Sequence, residues 1–164
     1  MTKDQLKAKG FATIAQVLPA QVCDSIVAVI APIDADAAGT RCLLDEQWCR
    51  ALAAHLRRDA DIESLIPADY VAVQCTYFEK SVERNWLVPV HQDLSILVAE
   101  RVDHPDLRGW SVKEGSVFVQ PPVAVLEQLV AVRVHLDACS EHDGPLQFVP
   151  GSHRIGRISA DEAR

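Results

Sequence analysis

The spacing of hydrophobic positions changes along the chain, from a period near 3.6 in the first third to a period of two after Pro67. Thr2 and Gln5 have the spacing of a capping box, ahead of a short helix that should end at Gly10. Phe11 to Leu18 alternates weakly, as a strand would. Pro19 suits a first helical turn, and Val22, Ile26, Val29 and Ile30 then share one helical face that stops before Pro32. Asp45 is placed to cap a third helix, with Trp48, Leu52 and Leu56 on its buried side and Arg50, Arg57 and Arg58 outside.

Beyond Pro67 the expected elements are strands. Tyr70 to Phe78 is rich in Val, Tyr, Thr and Phe, and Trp86, Val88 and Val90 alternate up to His91. The clearest alternation runs from Val130 to Asp137. There Val130, Val132, Val134 and Leu136 face one way and Arg133, His135 and Asp137 the other. Glu141 to Pro145 reads as a turn, with Asp137 placed to bond the stretch from Ser140 to Gly144, and Leu146 to Val149 as a further short strand. Helices first and antiparallel strands after predict a mainly β domain, a sandwich or jelly roll with a helical N-terminal layer. One domain is expected over 1–164, helical over 1–66 and β over 67–164. Ser159 to Glu162 forms another capping box, yet the sequence stops at Arg164, too soon to repay the cost of helix nucleation. That pattern reads either as a frayed terminus or as a chain that ends inside a longer design.

Composition narrows the class. Hydrophobic residues make up 49% of the 164 and charged ones 24%, which excludes disorder and a coiled coil. A net charge of −7 argues against a nucleic-acid binder, which needs a cationic face. The longest apolar run, Val22 to Ile33, is broken by Asp24 and Ser25, so no membrane span is expected, and the N-terminus lacks a secretory pattern. Five cysteines without a Cys-x-x-Cys pair read as reduced, buried small residues. An acidic cytoplasmic domain is the expectation.

His91-Gln92-Asp93 is the first candidate chemistry. A His-x-Asp turn sets an imidazole and a carboxylate on one side, within reach of one metal ion. With a distant second histidine it makes the facial triad of non-haem Fe(II) oxygenases, which leaves positions open for co-substrate and oxygen. His135-Leu136-Asp137 repeats the pattern, so three letters alone leave both pairs open. Context separates them: His135 and Asp137 continue a regular polar strand face, whereas His91 follows an apolar strand that stops abruptly. No Gly-x-Ser-x-Gly elbow, phosphate loop or dinucleotide fingerprint occurs. Cys139 lacks an orienting group and reads as a buried thiol.

Several motifs together resemble a family. Phe78-Glu-Lys80, Asn85-Trp86-Leu-Val-Pro-Val-His91-Gln-Asp93, Gly109-Trp110-Ser-Val-Lys113-Glu-Gly115 and Gly144-Pro-Leu-Gln-Phe-Val-Pro-Gly-Ser-His153 stand in the order and spacing of phytanoyl-CoA dioxygenase-like proteins. Gly39-Thr-Arg41-Cys-Leu-Leu44 looks like the N-terminal layer of its bacterial members. The resemblance implies a cupin-like double-stranded β-helix, Fe(II) as metal, and 2-oxoglutarate and O2 as co-substrates. It implies His91 and Asp93 as metal ligands and Gln92, Lys80 and Trp110 as co-substrate contacts. His153 matches a structural turn of the family rather than a ligand. The family's distal histidine and carboxylate-binding arginine belong to later strands, so the β-helix is expected to be incomplete at the C-terminus.

The function expected from this resemblance is hydroxylation of a small organic substrate, with catalysis impaired by the missing groups. A non-catalytic remnant or interaction module on the same scaffold is the alternative. A cupin-like enzyme using His135 or His153 as a ligand is a third reading. Exposed strand edges would favour a homo-oligomer.

Overall fold

The computed structural model describes residues 2–33, 39–79 and 88–159. The first elements are α1 (Thr2–Lys9), α2 (Ala20–Ile30), β1 (Gly39–Thr40), α3 (Gln47–Arg57) and α4 (Ala60–Glu63). There follow β2 (Tyr77–Phe78), β3 (Ile96–Val98), β4 (Arg108–Lys113), β5 (Ser116–Gln120) and α5 (Val123–Leu126). Short 3-10 turns lie at Leu43–Asp45 and Ser152–Arg154.

The helical layer follows its periodicity closely. α1 ends where expected: Gly10 turns left-handed, at φ +86, and its N–H donates to the Leu6 carbonyl at 2.8 Å. In α2, Ile26 and Ile30 enter the core while Val22 and Val29 stay exposed, so the buried stripe is narrower than the pattern predicted. α3 begins later than the expected cap. Asp45 closes the 3-10 turn and Glu46 occupies the N-cap position without a side-chain bond. Cys49 is the buried residue of α3, and Trp48, Leu52 and Leu56 are half-buried beside it. Arg50 and Arg58 lie outside as expected. Arg57 instead is half-buried, with Nη2 donating to the Pro67 carbonyl at 2.7 Å and Nη1 buried without a partner among the described residues. Asp59 caps α4, accepting from the N–H groups of Asp61 and Ile62.

Two small sheets follow. β1 and β2 pair antiparallel, Gly39 with Phe78 and Thr40 with Tyr77, and a separate, isolated parallel bridge joins Cys42 to Cys75. The second sheet has the order β3-β5-β4, antiparallel throughout. β4 and β5 form a hairpin closed by Glu114 and Gly115, whose φ values of 52 and 76 meet the demand of a type I′ turn for two left-handed residues. A bulge between Arg108 and Ser111 includes Gly109 at φ +57. A Cβ there would lie 2.8 Å from the Gln120 side chain, so the close approach of the two strands requires glycine. Phe118 and Val119 of the central strand are 2% and 1% exposed, and with Ile26, Ile30, Leu43, Cys49 and Ile62 they make the core.

Glu114 does a second job in the hairpin turn. Its carboxylate accepts from Thr40 Oγ1 at 2.6 Å, from the Arg41 N–H at 2.8 Å and from Arg41 Nη1 at 2.7 Å. These bonds tie the three-stranded sheet to β1. Cys42 Sγ against Ser116 Oγ, 3.1 Å apart, adds a second tie.

The strand expectations need correction. Of the stretch from Tyr70 to Phe78, only Tyr77 and Phe78 join a strand, with Cys75 in its bridge. Phe11 to Leu18, Val130 to Asp137 and Leu146 to Val149 form no strand, nor do residues 88–90; Trp86 lies outside the described residues. Conversely, β3, β4 and β5 arise where no strand was expected. Alternation says which face a strand would bury, but a ladder also needs a neighbour to accept its bonds, and β5 has two. The capping box at Ser159 extends beyond the described residues.

Candidate metal centre

Residues 88–93 lead from the apolar Val88-Pro89-Val90 into the His-x-Asp turn. His91 Nδ1 lies 2.8 Å from the Pro89 carbonyl two residues back. A carbonyl can only accept, so Nδ1 carries the proton, and this hydrogen bond sets the ring's orientation. His91 Nε2 then stands 3.5 Å from Asp93 Oδ1. Two donors bound to one ion at ~2.0–2.2 Å lie roughly 2.8–3.6 Å apart for angles between octahedral and tetrahedral. The pair therefore fits a shared cation. A backbone carbonyl on the other ring nitrogen is also the usual support for a ligating histidine.

The side chain between them points elsewhere. Gln92 Nε2 donates to the Gly156 carbonyl at 2.7 Å, and Gln92 Oε1 accepts from the Ile158 N–H at 2.9 Å. Its amide thus clamps residues 156–158 to the back of the turn with both functional groups in use. Contact with a co-substrate would require those bonds to open. Arg157, inside the clamped segment, reaches Gln120 Oε1 at 3.4 Å, which links the turn to the end of β5. The amide–backbone bracket is a positioning device that the sequence alone did not reveal.

Trp110 lies half-buried on β4, with the Arg101 guanidinium 5.5 Å from its ring centroid in a cation–π contact. Lys80 lies outside the described residues. His91 and Asp93 are exposed, at 52% and 98% of their side-chain surface, so solvent has open access to the pair. Among the described residues, no third His, Cys, Asp or Glu joins them to complete a metal-binding group.

The other histidines are placed differently. His104 and Asp106 form a further His-x-Asp that the sequence reading passed over, with Nδ1 and Oδ2 3.9 Å apart. There, however, Nδ1 already accepts the Asp106 N–H at 3.2 Å, so the nitrogen nearest the carboxylate has no lone pair left for a metal. His135 is exposed on the unladdered segment. Asp137 does not bond the turn at Ser140 as expected. Asp143 does so instead, accepting the Ser140 N–H at 2.7 Å, and its carboxyl is held below the usual range by the Ser140 side chain first and then by that backbone bond. Tyr77 is raised above the ordinary phenol value, by burial first and then by the charges of Glu79 and Asp137.

His153 serves the N-terminal helix. Gly151 N–H donates to the Lys9 carbonyl at 2.8 Å, His153 Nε2 lies 3.3 Å from the Lys7 carbonyl, and Arg154 Nη2 donates to that same oxygen. Basic side chains at a helix C-terminus satisfy carbonyls that have no partner within the helix. The fit is close: a Cβ on Gly10 would meet His153 Nδ1 at 2.5 Å. Nearby, Phe11 and Phe148 stack with centroids 4.9 Å apart.

The cysteines are free. Cys49 has its thiol pushed up to about 12, by burial first and then by the neighbouring Cys75 thiol, so it stays protonated and inert. Cys139, expected to be buried, is exposed.

The phytanoyl-CoA dioxygenase family model matches residues 6–164. The chain belongs to that family. No curated protein and no solved structure matches it. Membership of the phytanoyl-CoA dioxygenase family implies a cupin-like jelly roll; the described residues form two small antiparallel sheets beside the helices and not the full double-stranded β-helix expected from the sequence. Members of this family are typically dioxygenases that use Fe(II) and 2-oxoglutarate and bind small-molecule substrates. No helix among the described residues is long and apolar enough to cross a membrane.

Proposed function

We propose that this chain is an Fe(II)- and 2-oxoglutarate-dependent oxygenase scaffold for hydroxylating a small organic substrate, with His91 and Asp93 as two of its metal ligands. The observation that carries the reading is the His91 ring. Its Nδ1 is held by the Pro89 carbonyl and its Nε2 is turned to within 3.5 Å of Asp93 Oδ1, in a chain matched almost throughout by the family. When bound, ferrous iron supplies the redox chemistry that couples decarboxylation of 2-oxoglutarate to hydroxylation. The chain's own contribution is orientation. Pro89 fixes the ring, and Gln92 fixes the turn by bracketing Gly156 and Ile158. The resemblance assigns co-substrate contacts to Lys80, Trp110 and Gln92, and for Gln92 the two bonds it already makes favour the positioning role.

Anaerobic titration of the full chain with Fe(II) and 2-oxoglutarate tests the reading through the visible metal-to-ligand charge-transfer band. A saturable band is expected, lost in His91→Ala and kept in His135→Ala. Absence of a band in the parent chain, or its survival in His91→Ala, overturns the assignment. A second reading, a non-catalytic module on the same scaffold, is favoured by the 98% exposure of Asp93, because an oxygenase works best with water excluded from its centre. That reading predicts no band at all.

A further inference from the structure

Three of the five thiols come together beside the first sheet. Cys42 and Cys75 face each other in their isolated bridge, and the Leu43 N–H donates to the Cys75 carbonyl at 3.3 Å. Residues paired across such a bridge stand about 4.8 Å apart, inside the window of roughly 4.4–6.8 Å that a disulfide spans between Cα atoms. Facing residues also send their side chains to the same side. Both cysteines are half-buried, so a small oxidant has access to them that a core thiol denies. Cys49 of α3 is the third. It is buried, and its burial first and its contact with the Cys75 thiol next keep its proton on. A thiol that holds its proton is a poor nucleophile, so Cys49 is the bystander of the three.

We propose that Cys42 and Cys75 form a modification site, a dithiol that closes to a disulfide under hydrogen peroxide and reopens under a reducing thiol. One thiolate of the pair attacks a peroxide oxygen and the O–O bond breaks. That sulfur becomes a sulfenic acid, and the departing hydroxide takes up the proton the thiol had lost. The second sulfur then attacks the first. The S–O bond breaks, and the hydroxyl leaves as water with the proton of the second thiol. Two thiols lose two electrons, and the peroxide is reduced to two waters. Closure also exchanges one tie for another. Cys42 Sγ gives up Ser116 Oγ, 3.1 Å away, and the Glu114 bonds to Thr40 and Arg41 are left to hold the hairpin to β1. The loop that the disulfide closes contains all of α3 and α4, so oxidation staples these two helices to the segment ahead of β2.

Peptide mapping of the full chain tests this. The reduced protein is treated with hydrogen peroxide, its remaining thiols are blocked with N-ethylmaleimide, and its peptides are read by mass spectrometry. Trypsin leaves Cys42 and Cys49 together in the peptide 42–50, and further cleavage after Glu46 separates them. A peptide pair joined through Cys42 and Cys75 is expected. It should disappear with dithiothreitol, persist in Cys49→Ala, and be lost in both Cys42→Ser and Cys75→Ser. Circular dichroism of each variant checks that its fold is kept. A link from Cys49 to either neighbour, free or overoxidised thiols at Cys42 and Cys75 without a link, or loss of the link in Cys49→Ala overturns the proposal. The outcome is independent of the iron titration, since none of the three cysteines belongs to the proposed metal pair.

Discussion

β5 and the segment from Val130 to Asp137 are written in much the same alphabet, yet their fates differ. Ser116-Val-Phe-Val-Gln120 lies between β3 and β4 and buries Phe118 and Val119 almost completely. Val130-Ala-Val-Arg-Val-His-Leu-Asp137 alternates more regularly and has no strand on either side among the described residues. What separates them is the supply of neighbours. β4 reaches β5 through a two-residue turn, so its pairing is local and closes at little entropic cost. No such hairpin partner adjoins Val130: α5 precedes it, and the Ser140 turn follows it without a paired strand beyond. Pattern is a necessary condition for a strand, and a partner is the other.

The strongest way to break this contrast is to truncate one side chain in each region. Phe118→Ala should lose about 3–5 kcal/mol in urea unfolding, because a nearly fully buried ring leaves a cavity. Val132→Ala, measured at concentrations where the chain is monomeric, should change stability by less than about 0.5 kcal/mol. Comparable losses would mean that the unladdered segment is as well packed as β5.

Gly10→Ala asks what holds the later part of the chain in place without a ladder. The Pro150-Gly-Ser-His153 turn is bonded to the C-terminus of α1, and the substitution introduces both a left-handed alanine and a Cβ inside contact distance of His153. A destabilisation of about 1–2 kcal/mol is expected from the backbone alone. Hydrogen exchange should show the loss of protection at the Gly151 amide, with the β4–β5 amides unchanged. Unchanged exchange at Gly151 would mean that the α1 anchor is not what holds this turn.

The smallest effect is expected at Glu114. Hydrogen bonds from Thr40 and from the Arg41 backbone, then the Arg41 guanidinium, hold its carboxyl below the ordinary range. A depressed carboxylate adds stability that is fully present above its unfolded value, near 4.3, and is lost as pH falls through the folded one. With a third of the side chain exposed, solvent screening keeps the contribution below about 1 kcal/mol. Glu114→Gln should flatten the acid limb of the stability–pH curve and loosen β1 from the hairpin turn. An acid limb identical to the parent's would show that the Glu114 ties contribute nothing measurable.

Much of the helical layer was legible because its signals are local. Gly10 ends α1, Pro19 precedes α2, and the Ile26/Ile30 stripe is buried as its spacing indicates. The β4–β5 hairpin was also readable in principle. Glu114-Gly115 between alternating residues resembles the Asp-Gly hairpin signal, but its value lay in the turn rather than in the flanking strands. The Gln92 bracket was not readable, because its partners lie 64 and 66 residues away and are backbone atoms. Nor could the letters separate His91 from His104, since what differs is which ring nitrogen a neighbouring peptide group already occupies.

By itself, then, the sequence determined the family, the helical first third and the candidate pair at His91 and Asp93, because ordered motifs and near-neighbour periodicity are properties of the chain. Only the tertiary structure decided which alternating segments became strands and which His-x-Asp kept a free nitrogen beside its carboxylate. It also decided that Gln92 clamps a distant segment and that His153 seats against a helix end. Each of those depends on a hydrogen-bond partner that the chain must bring from elsewhere, and a buried or oriented polar group takes its role from that partner.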